Sequence, residues 1–381
     1  MWWGWVARVV GVVLALAVGE DIFYTVLFPG SRRGVLRVPL GGGVWRLFRL
    51  AARAPRQRDR LLAYSGPVLV TVNVAAWVLL LAAGFAFVDW PALGSAILAS
   101  SGPTPTGFAT ALYYSGYALT TLGTGDIVAR TDLYRLLMVV EAALGFSTIT
   151  LILTYFLSVY SALTRRDTFA LSLRYRAAGT GDAAELLARL GPGGDFGGAT
   201  QTVGDVATSV LSVMESHRAY PILRYFHFRH TYDALPRLLL VALDLATLIE
   251  SALDADRYRA LVDSAAVAEL GGGGRHVLDE LTATFLPTSQ PRHPSMSEQA
   301  WRERYDRAVT RLHAAGIATA PDHEAGARRY VALRREWDPH IAALAAYLAY
   351  DWDAVAPADH DKGAQGDERA APSSSVGTHT N

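Results

Sequence analysis

The chain has 381 residues, of which 51% are hydrophobic and 18% charged, and its 35 basic and 35 acidic side chains cancel to a formal net charge of zero. This composition is too apolar for an ordinary soluble domain of this length. A neutral chain lacks the cationic surface that bulk binding to nucleic acid requires, so no nucleic-acid partner is predicted. Because the sequence contains no cysteine, disulfides, zinc fingers and thiolate nucleophiles are excluded.

The neutral total hides a separation of charge along the chain. Residues 1–60 hold ten arginines and three acidic residues, which give a net charge of +7. Residues 61–163 hold two arginines and four acidic residues, and the rest of the chain carries a net charge of −5. Long stretches of the middle section are free of charge, as expected for a membrane domain.

Three segments are long enough to cross a bilayer, whose hydrocarbon core needs roughly 20 apolar residues in a helix. Residues 1–29 predict an N-terminal transmembrane helix, with a cleaved signal peptide as the alternative because Ala15-Leu16-Ala17 resembles a cleavage site. Residues 61–88 predict an outer helix without charged side chains. Residues 134–163 predict an inner helix that contains the acidic side chain of Glu141.

The connection formed by residues 30–60 holds nine of the arginines. By the positive-inside rule it is cytoplasmic, which places the N-terminus outside a bacterial cell membrane and the C-terminus in the cytoplasm. Four of its arginines recur at helical spacing beside Trp45 and Phe48 and predict an interfacial helix on anionic lipid. A solvated basic loop is the alternative. The four arginines are Arg46, Arg49, Arg53 and Arg56.

The connection between the second and third spans is unusually apolar. Residues 106–119 predict a pore helix that is too short to cross the membrane but long enough to enter it. Residues 120–126 read Thr-Thr-Leu-Gly-Thr-Gly-Asp. The glycines at alternate positions allow successive carbonyl groups to point the same way. Four such strands around an axis would form rings of oxygens that replace the water around a cation, so a homotetramer is predicted.

This pattern resembles the bacterial potassium-channel pore-domain family, whose filter usually reads T-V-G-Y-G-D. The resemblance covers residues 61–163 and implies an all-α membrane protein with an outer helix, a re-entrant pore helix and filter, and an inner helix. Here one extra N-terminal transmembrane helix precedes the pore, and a helical cytoplasmic domain follows it. The resemblance implies potassium as the permeant ion, with no cofactor and no other metal.

The same resemblance implies roles for individual residues. The implied ion ligands are the carbonyl groups of Thr121, Leu122, Gly123 and Thr124 and the hydroxyl of Thr121, with Gly125 as the last residue of the filter. Thr120 and Asp126 would support the filter. Glu141 would hydrogen-bond the back of the pore helix, with a direct ion contact as the alternative. Gly145 resembles the gating hinge of the inner helix, although a glycine that eases helix packing is an equally good account.

One departure from the family pattern concerns selectivity. Thr124 stands where the family has tyrosine, so the aromatic support of the filter lacks its central member. Tyr113, Tyr114 and Tyr117 of the pore helix are candidates to compensate from behind. The sequence therefore leaves open a potassium channel, a non-selective cation channel and a non-conducting membrane sensor with a pore-like fold.

The remainder of the chain is less informative. Residues 164–355 predict a helical cytoplasmic domain in which Leu238–Ile249 is a buried core helix, and residues 356–381 predict a disordered tail. The densest group of potential metal ligands matches no known metal-site spacing and is predicted to be a packing segment. Its members are Glu215, His217, His227, His230 and Asp233. No catalytic motif is present, so the chain is not predicted to be an enzyme, and no gating ligand is identified.

Overall fold

The computed structural model describes residues 2–28, 37–52, 58–286 and 296–357. Within these residues the regular structure is helical apart from one two-stranded ladder, so the predicted all-α class is confirmed. The chain divides into two compact units, which are described separately. The first comprises residues 1–161 and 219–226, and the second comprises residues 162–218 and 227–381. From residue 358 onward, the tail predicted to be disordered lies outside the described residues.

Three apolar stretches of helix are long enough to cross a membrane, as predicted. They are Trp2–Leu27, Arg58–Ala92 and Asp132–Arg176. The first consists of helix α1 (Trp2–Ile22) and a π-helical turn (Phe23–Leu27). The second contains α3 (Arg58–Ala63) and α4 (Ser65–Asp89), and the third is the single helix α6 (Asp132–Arg176). The chain is therefore a membrane protein by the length and composition of its helices.

Two predicted helix boundaries require correction. The outer helix does not run without a break from residue 61, because α3 ends at Ala63 and α4 begins at Ser65, with Pro67 in its first turn. The inner helix does not end at residue 163 but continues to Arg176. The arginines that follow residue 163 do not stop a helix. The helix ends in a turn in which Ala178 takes the left-handed conformation, with a φ of 55°, and the amides of Ala178 and Gly179 donate to the carbonyl groups of Tyr175 and Arg174.

The basic connection contains helix α2 (Arg37–Ala51). The predicted apolar face of this helix contacts protein, because Trp45 is buried and its ring lies 5.9 Å from that of Tyr225. Arg46 and Arg49 are exposed. Arg53 and Arg56 lie outside the described residues.

Helix α1 crosses α4 through small side chains. A Cβ atom added to Gly11 would lie 2.4 Å from the carbonyl oxygen of Gly84, so the two backbones are in direct contact. Such close approach is a common basis of helix association in membranes. Near the other end of α1, the indole Nε1 of Trp77 donates to Asp21 Oδ2 at 2.7 Å, which gives this buried acid a partner. Asp21 therefore fixes the position of α1 on α4.

A short insertion lies between α4 and α6. Strand β1 (Ile97–Ala99) pairs antiparallel with strand β2 (Ile127–Ala129), with Ile97 opposite Ala129. Helix α5 (Phe108–Leu119) and the segment 120–126 lie between the two strands. The ladder therefore holds together the points where the chain enters and leaves this insertion.

The second unit is built around α9 (Leu235–Ala252), in which every residue except Glu250 is buried. The prediction of a buried core helix at Leu238–Ile249 is confirmed. Its other helices are α7 (Ala183–Leu190), α8 (Ala199–Ala219), α10 (Arg259–Val262), α11 (Ala265–Ala268), α12 (Gly274–Phe285), α13 (Glu298–Ala314), α14 (His323–Tyr347) and α15 (Trp352–Val355).

A buried ion cluster ties α9 to α13 and α14. Asp244 accepts hydrogen bonds from Arg304 Nε and Arg334 Nη1, each at 2.9 Å, and from the Tyr330 hydroxyl at 2.7 Å. Burial alone would raise the pKa of Asp244, but the guanidinium groups of Arg334 and Arg304 outweigh it, so the pKa is lowered. The ionised carboxylate is thus the centre on which the three helices converge.

We expect Asp244→Asn to destabilise this unit, because it removes the carboxylate that two buried guanidinium groups share and leaves Arg334 only Asp338 at 3.0 Å and Arg304 only Asp182 at 3.7 Å. Loss of one partner of a buried pair costs about 3–5 kcal/mol, which corresponds to a fall in apparent melting temperature on the order of 10 °C. Tryptophan fluorescence of the full chain in detergent measures this shift. Asp256→Asn is the control, because the Asp256 carboxylate is 94% exposed and its bond to Arg259 contributes little.

The pH dependence of the same measurement has a defined sign. Because the pKa of Asp244 is lowered in the folded state, its stabilising contribution is complete above the ordinary aspartate value of about 4 and is lost as the pH falls further. Asp244→Asn should remove this part of the acid sensitivity. An unchanged melting temperature at neutral pH would contradict the role assigned to the cluster.

Candidate functional site

Helix α5 ends in a tight, fully hydrogen-bonded turn. The amide of Thr121 donates to the carbonyl of Ala118 at 3.1 Å, and the amide of Leu122 donates to that of Tyr117 at 2.9 Å. This pair of bonds is the Schellman arrangement, in which the residue at the position of Thr121 takes a left-handed conformation and is usually glycine. Thr121 has a φ of 58°. The helix end therefore starts the segment 121–125 with a strained β-branched residue.

The left-handed conformation then recurs at every second residue. Thr121, Gly123 and Gly125 have φ values of 58°, 60° and 74°, and the two residues between them do not have positive φ. The two glycines adopt this conformation without the steric cost that a side chain brings. This alternation is the backbone pattern that the sequence predicted for carbonyl groups pointing the same way.

Four successive carbonyl groups of this segment accept no hydrogen bond from the described part of the chain. They belong to Thr121, Leu122, Gly123 and Thr124. The Thr121 hydroxyl likewise has no partner there, whereas the Thr120 hydroxyl donates to the carbonyl of Gly116 at 2.8 Å. The oxygens predicted as ion ligands are thus unengaged, while Thr120 supports the end of the helix.

The far end of the segment is attached to the ladder through Ser100. The Ser100 amide donates to the carbonyl of Asp126 at 2.7 Å, and its hydroxyl donates to the carbonyl of Gly125. The carbonyl groups of Gly125 and Asp126 therefore accept hydrogen bonds from the protein, unlike the four carbonyl groups that precede them. No local signal in the sequence indicates Ser100, because 25 residues separate it from Gly125 and it belongs to no motif.

Asp126 was predicted to bond the surrounding pore wall, and this stays a prediction, because the hydrogen bonds to its Oδ1 come from residues beside it in the sequence. Its Oδ1 accepts from the Thr124 hydroxyl at 2.6 Å and from the Ile127 amide at 3.1 Å. The hydrogen bond from Thr124 holds the pKa of Asp126 below its ordinary value. Asp126 is thus an exposed, ionised carboxylate at the end of the segment.

The pore-helix tyrosines lie behind this segment. The Tyr113 hydroxyl donates to Thr124 Oγ1 at 3.2 Å, and that of Tyr117 donates to the carbonyl of Ile127. Tyr114 is buried, and its hydroxyl has no hydrogen-bond partner in the described chain. Two of the three candidate tyrosines therefore bond the segment or the residue just after it.

Glu141 of α6 lies against the pore helix. Its Oε1 is hydrogen-bonded to Ser115 Oγ, which also lies 3.0 Å from the carbonyl oxygen of Ala82 in α4. Both Glu141 and Ser115 are fully buried. The three helices α4, α5 and α6 thus meet at one polar contact within an apolar unit.

Gly145 of α6 lies directly against the end of α5. A Cβ atom at this position would lie 2.0 Å from the carbonyl oxygen of Leu119. Helix α6 continues through Gly145 without interruption. The geometry gives this glycine a packing function, and its predicted role as a gating hinge stays a prediction.

On the C-terminal side of Gly145, hydroxyl side chains line one exposed face of α6. Those of Thr150, Thr154 and Ser158 each donate to the carbonyl four residues earlier, at 2.9–3.0 Å. Spacing by four residues places them on one side of a helix. Because their donors are used within the helix, their lone pairs remain available on that face.

The histidines among the potential metal ligands between residues 215 and 233 are buried or stack on tyrosine rings. His217 is buried, and burial lowers its pKa to about 3, so its ring is neutral. The ring of His227 stacks on Tyr350 with centroids 4.1 Å apart, and that of His230 stacks on Tyr232. Among the described residues, no group of three or more histidine, aspartate or glutamate side chains is placed to hold a metal ion.

Comparison with known proteins agrees with the resemblance carried by the pore segment. Residues 68–162 match the model of a family described as "Ion channel", which confirms that resemblance for this part of the chain and agrees with a function other than enzymatic catalysis. An uncharacterized membrane protein of Bacillus subtilis (strain 168), YdjJ, is 26% identical over 222 residues. The aligned part covers 58% of this chain and 62% of the relative, less than two thirds of its length. No solved structure gives a significant match.

We expect Gly145→Ala to destabilise the pore unit, because the added methyl group would overlap the Leu119 carbonyl oxygen. Overpacking of this kind costs about 1–3 kcal/mol and should lower the melting temperature of the detergent-solubilised protein by several degrees. Gly116→Ala is the matched control, because no atom lies within 4 Å of a Cβ at that helical position. Unchanged stability with altered gating would instead favour the hinge.

Proposed function

We propose that this chain is one subunit of a homotetrameric cation channel that conducts potassium ions. The ions would pass, without their water, between rings formed by the carbonyl groups of residues 121–124 from four chains. One such segment encloses no path, so a closed fourfold assembly is the simplest functional unit.

The observation that carries the proposal is the backbone of residues 121–125. Its left-handed conformations alternate, and four consecutive carbonyl groups lack protein partners. Backbone of this kind is tolerated at membrane depth only where it is buried in protein or lines a polar path. Its position between two apolar helices within the ion-channel match supports the second case.

Charge and polarity along the proposed path also favour cations. Asp126 and Asp132 are exposed acidic groups beside the filter and at the start of α6, where they would attract cations to the entrance. The hydroxyl-bearing face of α6 would line the inner cavity. Because α6 is continuous from Asp132 to Arg176, gating through the inner helix and the cytoplasmic domain belongs to the proposal.

The proposed orientation places the N-terminus outside and residues 164–355 in the cytoplasm of a bacterial cell. It is supported by the arginines of residues 30–60. In this orientation the exposed Arg46 and Arg49 face the cytoplasmic leaflet, where they would contact anionic lipid headgroups.

Purified protein in liposomes should support potassium uptake, and Gly123→Ala should reduce it by at least tenfold. Alanine at Gly123 meets no neighbouring atom, so its cost comes from the positive φ and not from a clash. Gly107→Ala is the control, because Gly107 also has open space around it but a φ of −74°.

The same flux assay separates the alternative functions. Equal sodium and potassium flux would identify a non-selective cation channel, the alternative that Thr124 keeps open. No flux from a tetramer, or a monomeric protein without flux, would contradict the proposal and favour a non-conducting membrane sensor.

The absence of cysteine allows a direct test of orientation. We expect a membrane-impermeant maleimide to label Ser101→Cys in intact cells and to label Thr208→Cys only after lysis. Both side chains are exposed in the structure, so each is accessible once the reagent reaches its side of the membrane. The reverse pattern would invert the topology.

A further inference from the structure

We propose that a cavity beside α1 binds one phospholipid with an ammonium headgroup, of the phosphatidylethanolamine class. One acyl chain of the lipid lies in the cavity, and its ammonium group pairs with the carboxylate of Glu20. The site lies in the first compact unit and includes no residue of the filter. Lipid binding is measured without ion flux, so this proposal stands or fails separately from the channel function.

The cavity has a volume of about 540 Å³ and lies between the three apolar stretches of helix that are long enough to cross a membrane. This volume is typical of protein sites for small organic ligands, which hold about 300–1,000 Å³. Its lining is mostly apolar, as in such sites. The walls include Val12 and Leu16 of α1, Leu81 and Phe85 of α4, and Leu137 and Leu144 of α6.

The inner wall of the cavity is well packed. Ile22, Leu81 and Phe85 line the cavity and belong to the buried cluster that also contains Trp77. Gly19 leaves space on the α1 side, because no atom lies within 4 Å of a Cβ atom added there. The cavity is therefore formed by the fold itself and does not require the ligand to open it.

The other side of the cavity is open at membrane depth. Val12, Leu16, Phe23 and Leu144 line it and are 44–68% exposed, although all four are large and apolar. In a bilayer, such an opening faces hydrocarbon, so an acyl chain enters it without leaving the membrane. Water is a poor occupant of a largely apolar cavity, because it needs two to four polar partners there.

Glu20 supplies the polar contact that selects the headgroup. It is the only charged residue among the described residues that line the cavity. It is exposed and has no hydrogen-bond or ion-pair partner in the described chain. Acidic side chains in membrane-spanning helices are costly and are usually paired with another group. A lipid ammonium group provides such a partner.

The position of Glu20 matches the shape of a lipid. Val12 and Glu20 both line the cavity, and the eight residues of rise between them correspond to about 12 Å along α1. An apolar wall therefore extends away from a single charge near one end. In the proposed orientation this end lies toward the cytoplasmic leaflet. A phosphatidylglycerol headgroup would bring only a negative charge to Glu20, so the site should disfavour it.

Native mass spectrometry of the full chain in mild detergent tests the binding and its preference. With phosphatidylethanolamine added, we expect one retained lipid per chain. Phosphatidylglycerol with the same acyl chains should bind about threefold more weakly, as expected for one partly exposed ion pair. Equal retention of the two lipids by the wild-type protein would contradict the role of Glu20.

Variants of Glu20 test the headgroup contact. Glu20→Gln should remove the preference between the two lipids while keeping the acyl chain bound. Glu20→Lys should reverse the preference, so that phosphatidylglycerol is retained more strongly. A preference that is unchanged in Glu20→Gln would overturn the assignment of this carboxylate.

A second pair of variants tests the cavity. Gly19→Leu should abolish retention of both lipids, because the new side chain has space to extend into the cavity. Leu16→Trp enlarges an exposed side chain of the wall and is the second filling variant, so the result does not depend on the folding of one protein. Val13→Leu is the control on the same helix, because Val13 is 60% exposed and does not line the cavity. Full retention by both filling variants would overturn the proposal.

The absence of cysteine allows a test for a competing occupant, a second copy of this chain. A short bismaleimide should not join the chains of Leu16→Cys to one another if lipid fills the cavity. Efficient chain-to-chain linkage at this position, together with no retained lipid, would show that a neighbouring subunit covers the cavity and that the proposal is wrong.

Discussion

Four successive carbonyl groups of the pore segment accept no hydrogen bond from the described part of the chain, so the rest of this unit must hold the segment in place. The carbonyl groups of residues 121–124 thus lack the bonds by which helices and sheets are stabilised, although the amides of Thr121 and Leu122 donate to α5. Their conformation must therefore be imposed from outside. The turn at the end of α5 fixes the beginning of the segment, and the two bonds from Ser100 fix its end. Between these two ends, the Tyr113 hydroxyl of α5 donates to the side chain of Thr124.

These external supports are useful only if the pore helix is itself immobile. Hydrophobic burial contributes little to helix association within a bilayer, because lipid tails are as apolar as the side chains, so close contact and polar bonds must supply the stability. Both are present around α5. Gly145 allows the backbone of α6 to touch the carbonyl of Leu119, and Ser115 joins Ala82 to Glu141. Helix α1 adds to the frame through its crossing at Gly11 and the bond from Trp77 to Asp21.

Local signals in the sequence were sufficient to predict the architecture of this unit, but not its supports. Apolar length predicted the three spans, and the spacing of Gly123 and Gly125 predicted the alternating backbone. The predicted end of the inner helix at residue 163 was wrong, since α6 continues to Arg176. Charged residues mark where a helix leaves the membrane, and not where the helix ends. Ser100 could not be found, since its bonds depend on a ladder that brings distant residues together.

Thr121 illustrates how the local and functional requirements conflict. At the end of α5 the left-handed conformation favours glycine, and a β-branched side chain there costs on the order of 1–2 kcal/mol. Glycine would relieve that strain, but it would also remove a hydroxyl that has no partner in the described chain and lies at the start of the free carbonyl groups. Strain of this size persists where the surrounding structure holds the residue in place. Here two hydrogen bonds, from the backbone amides of Thr121 and Leu122 to carbonyl groups of α5, hold it. The end of the pore helix thus holds Thr121 in a conformation that destabilises the helix, because the proposed ion site requires the Thr121 hydroxyl oxygen.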